Sequence, residues 1–137
     1  MRDVIQADQF TPFGIWIRQY LRDSKTGLTV TNLDYIFEDY KAKKIMLVEE
    51  KQNGGRLHTG QMLTFKVLDY ALTKMAEAGD HDYDYWGFYT LKFPKGCSMP
   101  GPGMTLNDNL ITGEQLTDHL NFKNKFCEPL KFKWKSE

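Results

Sequence analysis

Residues 45–48, Ile45-Met46-Leu47-Val48, are apolar without a break, with Lys43-Lys44 before them and Glu49-Glu50-Lys51 after. A strand covered on both faces reads this way, because alternate side chains then all need apolar surroundings. The same periodicity sends Glu49 and Lys51 to one face of the strand and Val48 and Glu50 to the other. Taken by itself the charged triplet also suits a solvated strand end.

Upstream, Leu33-Asp34-Tyr35-Ile36-Phe37 is a second strand-like stretch, and the polar run 38–44 between the two suits a hairpin loop. Folding back there brings Asp34 level with Val48 or Glu49, and cross-strand neighbours sit about 4.5–5.5 Å apart. Two carboxylates and an ammonium then meet on one patch of sheet. Hard cations such as Mg²⁺ take oxygen ligands, typically one or two carboxylates completed by water and substrate phosphates. A metal held there activates water and polarises a phosphoryl oxygen, while Lys51 adds a fixed positive charge. Asp34 and Glu49 are the expected ligands, with the Glu50 carbonyl as a third. A shifted frame, Glu50-Lys51-Gln52, puts the Glu50 carboxylate on the metal instead.

Segments 32–36 and 47–51, the turn between them and the helix that follows resemble the PD-(D/E)xK nuclease superfamily, which includes many restriction endonucleases and junction resolvases. The resemblance spans roughly residues 13–93 and more loosely the helix after Thr112. It implies an α/β fold with a restriction-endonuclease-like core, a mixed sheet of about four to five strands flanked by helices. It further implies hydrolysis of DNA, less often RNA, with Mg²⁺ as cofactor and Mn²⁺ able to substitute. Some members carry a glutamine followed four residues later by a tyrosine, the glutamine supporting the site; here the pair is Gln61 and Phe65, without the phenol. Many place a glutamate on the first helix, and this chain has none between Pro12 and Arg22. The small size suits a phage or mobile-element member acting in the host cytoplasm, and a homodimer.

The remaining elements fit around that core. Thr11 is an N-cap with Pro12 at the first helical position, and Phe13, Trp16, Ile17 and Tyr20 form an apolar face. Gly60 and Gln61 open a longer helix whose stripe is Phe65, Leu68, Leu72 and Met75. Residues 83–93 are aromatic and strand-forming, and 106–110 suggest a short hairpin. Thr112-Gly113-Glu114-Gln115 spells a capping box before Leu116 and Leu120. The breaker-rich loop 94–103 is either a flap over substrate or a surface excursion, and 80–84 is a solvated connection despite its three aspartates.

Contacts to nucleic acid fall on two segments. Arg56, able to bind phosphate bidentately, and His58 follow the active strand. At the end, Lys131-Phe132-Lys133-Trp134-Lys135 alternates cation and aromatic. Lys131, Lys133 and Trp134 either grip phosphates and stack on a base, or belong to an edge strand whose lysines deter aggregation.

A chain of 137 residues accommodates one domain, 1–137, with 120–137 as a basic aromatic tail. Its net charge of zero does not favour a nucleic-acid partner in general, so such contacts rest on local cation clusters and a metal. No apolar run approaches the roughly 20 residues of a membrane span, and the start lacks a secretory signal. Cys97 and Cys127 stand alone, without metal-ligand spacing, and suit reduced cytoplasmic thiols. No P-loop, zinc motif or Ser–His–Asp order occurs. The alternative to an enzyme is a catalytically silent module binding nucleic acid or protein.

Overall fold

The computed structural model describes residues 11–21, 24–26, 33–52, 55 and 59–133, so that Arg56, His58 and Trp134 lie outside the described residues. In chain order the elements are α1 (Pro12–Tyr20), a short 3₁₀ turn (Ser24–Thr26), β1 (Tyr35–Asp39) and β2 (Lys44–Gln52). Then come α2 (Thr59–Glu77), β3 (Asp84–Phe93), β4 (Thr105–Leu106), β5 (Asn109–Leu110) and α3 (Gly113–Leu120).

The apolar run is the spine of the fold. Met46, Leu47 and Val48 are at most 2% exposed, each burial contributing roughly 1.5–3 kcal/mol. Leu47 packs with Phe65 of α2 and Phe88 of β3 on one face. Met46 and Val48 join Tyr89, Leu91, Met104, Leu106 and Leu116 of α3 on the other. The sheet is mixed and has five strands in the order β1-β2-β3-β4-β5. β2 and β3 are parallel, with α2 as the crossover that a parallel pair requires. The other pairs are antiparallel.

The β1–β2 turn is tighter than the polar run 38–44 suggests, because Asp39 Oδ1 accepts from the amides of Lys41 (3.0 Å) and Ala42 (2.9 Å). This side-chain turn lets both strands run further into the loop. The capping box forms as read: Gln115 N donates to Thr112 Oγ1 at 3.1 Å, and Thr112 N to Gln115 Oε1 at 2.9 Å.

Three expectations change. First, α1 has its Thr11 cap, but no residue of it is buried. Phe13, Trp16 and Tyr20 stack on one another, at 6.0 and 5.6 Å between centroids, instead of entering the core. Second, the inward line of α2 is Gln61, Phe65, Asp69 and Leu72, while Leu68 is 37% exposed. Asp69 takes the inward position because Tyr85 donates to its Oδ1 at 2.7 Å, and burial pushes its carboxyl above the usual range. Third, residues 131–133 form no strand. Phe132 sits edge-on to Phe88 at 5.6 Å, so it belongs to the core and is not a free base-stacking ring.

This C-terminal strap reaches the sheet through a bulge. Gly87, at φ +112°, is where the β2–β3 register shifts, and a Cβ there would lie 2.2 Å from Pro129 Cβ. Only glycine holds that backbone while letting Pro129 lie flat on the strand. Leu130 N then donates to Phe88 O at 2.9 Å.

Candidate active site

Strand register sets the site. Tyr35 pairs with Val48 and Ile36 with Leu47, so the residue before Tyr35, Asp34, comes opposite Glu49. Glu49 and Lys51 share the face of Leu47, beneath α2, because side chains alternate along β2. Gln61, in the first turn of α2, projects onto the same patch.

Hydrogen bonds link the four residues, three of them side chain to side chain and Asp34 through backbone amides. The Asp34 amide donates to Glu49 Oε1 at 3.1 Å, and the Glu50 amide donates to Asp34 Oδ2 at 2.9 Å. Each strand thus fixes the other's carboxylate through its backbone. Gln61 Nε2 donates to Glu49 Oε2 at 3.1 Å, while Gln61 Oε1 accepts from Lys51 Nζ at 3.3 Å. One amide therefore spans the acid and the base of the motif, and that double contact defines its rotamer. Glu49 is fully buried, and ionised groups are kept in such places only when they are hydrogen-bonded and charge-compensated.

Glu50 plays a different part. Its carboxylate lies on the α3 face, where Tyr35 donates to Oε1 at 3.3 Å. Partial burial, then the Glu50 charge, pushes the Tyr35 phenol up. The frame that puts the Glu50 carboxylate beside Asp34 is not the one the fold adopts, and the Glu50 contact to Asp34 is its backbone N–H. That amide is a contact strand periodicity alone does not reveal.

Among the described residues the donor set is two hard carboxylates, which fits Mg²⁺ or Mn²⁺ with water and phosphate oxygens as the other ligands. Among the described residues no cluster of three acidic, histidine or cysteine side chains forms a fuller cage. The cluster stands at the carboxyl ends of the parallel pair β2–β3, where open α/β sheets bind their ligands.

Comparison with family models, with curated proteins and with solved structures finds no match to this chain.

Other sequence candidates sit elsewhere. Lys131 lines a cleft of about 370 Å³ with Asp69, Tyr85 and Lys125 at the opposite end of β3. Lys133 is exposed on the same strap. The 80–84 segment closes the end of α2: His81 Nε2 contacts Met75 O at 2.6 Å, and its Nδ1 accepts from Tyr83 N.

Two polar residues near the site have no sequence signature. Gln52 clamps the 94–103 loop to the end of β2, donating to Cys97 O and accepting from Gly96 N, both at 2.9 Å. That loop is therefore tied down at its base. Lys92 of β3 is level with Lys51 and bonded to Asp108 at 3.1 Å. Only the β2–β3 register, set by contacts far apart in sequence, places Lys92 there. No helix among the described residues is long and apolar enough to cross a membrane.

Proposed function

We propose that this chain is a metal-dependent nuclease of the PD-(D/E)xK type, with a restriction-endonuclease-like core, that hydrolyses DNA phosphodiester bonds. One observation carries the proposal: the Gln61 amide joins buried Glu49 to Lys51 while Asp34 faces Glu49 across the hairpin. A purely structural sheet end has little use for two carboxylates, an ammonium and an amide held in mutual register on one face.

Asp34 and Glu49 would hold Mg²⁺, or Mn²⁺ in its place, which when bound supplies Lewis acidity and lowers the pKa of water. The chain's own residues do the rest. The backbone amides of Asp34 and Glu50 fix the directions of the two carboxylates, so little reorganisation remains when substrate binds. Lys51 sets a positive charge where the phosphoryl oxygens gain negative charge, and orients the attacking water. Gln61 keeps Lys51 from folding onto Glu49, preserving the charge for substrate. With no acid on α1, the carboxylates of the site among the described residues are Asp34 and Glu49.

The test is incubation of purified protein with circular and branched DNA in Mg²⁺, Mn²⁺ or EDTA. Metal-dependent cleavage that disappears in Asp34→Ala and Lys51→Ala is the expected result. DNA that stays intact in every metal, though bound, would replace the enzyme with a catalytically silent binding module.

A further inference from the structure

β2 and β3 run in parallel register with Lys51 beside Lys92. Four residues earlier the same register pairs Leu47 with Phe88, both packed under α2. The two lysines therefore leave the sheet on the site's face, on strands about 4.8 Å apart. Like charges directly opposite one another on a sheet are destabilising.

Each ammonium is steadied separately. Lys51 goes to Gln61 at 3.3 Å, and Lys92 to Asp108 at 3.1 Å. The Lys92 side chain is only 22% exposed, against 78% for Asp108. Asp108 is not free to wander. It sits in the β4–β5 turn at φ +67°, and its neighbour Asn107 is bonded to Thr90 both ways, N to O at 2.9 Å and Thr90 N to Oδ1 at 2.8 Å. An ion pair with so exposed a carboxylate is weak, so a polyanion can displace it.

We propose that Lys92 is a substrate-binding residue: it takes a DNA backbone phosphate next to the scissile one, and Asp108 holds it until DNA arrives. This rests on the nuclease assignment and adds to it a second cation across the strand from Lys51. The lysine pair then becomes a step of positive charge beside the carboxylates, which a neutral chain needs in order to bind a polyanion locally.

The experiment measures affinity of the full chain for a short fluorescein-labelled duplex across a NaCl series, with Ca²⁺ replacing Mg²⁺ and again in EDTA. Lys92→Gln should weaken binding about tenfold and lower the slope of log affinity against log salt by about 0.9, the value of one lost phosphate contact. Lys92→Arg should restore both. Asp108→Asn should tighten binding about threefold by releasing Lys92, and the double variant should match Lys92→Gln. A merely structural ion pair predicts no gain for Asp108→Asn. Wild-type affinity and slope in Lys92→Gln, or weaker binding by Asp108→Asn, overturns the assignment. Protein that cuts DNA yet shows unchanged binding in all variants sinks Lys92 alone. Protein that shows the variant pattern but never cuts sinks hydrolysis alone, and protein that binds no duplex in any buffer sinks both.

Discussion

Acid should unfold this protein through His119. The ring is fully buried, edge-on to Tyr89 at 4.4 Å and Trp86 at 5.5 Å between centroids. Its Nδ1 accepts from Phe126 N at 3.0 Å, which puts the proton of the neutral ring on Nε2, an atom without a hydrogen-bond partner among the described residues. A second proton must enter at Nδ1, facing the Phe126 N–H, and both donors then repel. Burial, and after it the Lys125 ammonium, lowers the folded pKa from 6.5 to about 4. Between those values the unfolded chain binds the extra proton and the folded chain does not, so stability rises with pH across the window. The contribution is complete above 6.5 and is lost as pH falls toward 4; at 1.36 kcal/mol per unit it amounts to about 3 kcal/mol. Urea unfolding followed by tryptophan fluorescence, at steps from about pH 7 to about pH 4, compares wild type with His119→Gln, whose amide oxygen can still accept from Phe126. The variant should start less stable but lose about 3 kcal/mol less on acidification, since all other groups cancel in the difference. Parallel curves for the two proteins would refute the role of His119.

Three other outcomes follow from the packing and the site. Gln61→Leu should cost about 1–3 kcal/mol in urea unfolding, because buried Glu49 loses a donor, and should lower the cleavage rate per folded molecule on the order of a hundredfold. Gly87→Ala should cost about 2–5 kcal/mol, from the positive φ and the clash with Pro129, and should leave cleavage per folded molecule unchanged at low temperature. Gln52→Ala should speed hydrogen exchange at the Gly96 amide, which loses its acceptor, while Asp39–Ala42 turn amides keep their protection.

Much of the site was legible because it is local. The polar hairpin run after Phe37, the alternation that pairs Glu49 with Lys51, and the spacing to the head of α2 are short-range properties. They suffice to bring Asp34, Glu49, Lys51 and Gln61 together. What remained hidden depends on contacts between distant segments. Leu68 and Asp69 compete for the inward face of α2, and a hydrophobic stripe favours Leu68 until Tyr85 offers Asp69 a hydrogen bond. Phe132 reads as half of a cation–aromatic repeat, but the bulge at Gly87 draws the strap onto Phe88. The aromatic stripe of α1 predicts the helix correctly and says nothing about what it packs against; here it is exposed.

Among the described residues β1 is an edge strand, paired on one side, whereas β2 is buried between two neighbours. The residue immediately before β1 supplies Asp34, and β2 supplies Glu49 and Lys51. One of the two carboxylates thus hangs on an edge of the sheet. Fraying of β1 separates the carboxylates while the β2–β3 core stays folded, so function should fail at lower temperature than the fold does. The converse also holds: any cation bridging Asp34 and Glu49 spends part of its binding energy closing that edge, and its arrival should be readable as slower amide exchange along β1.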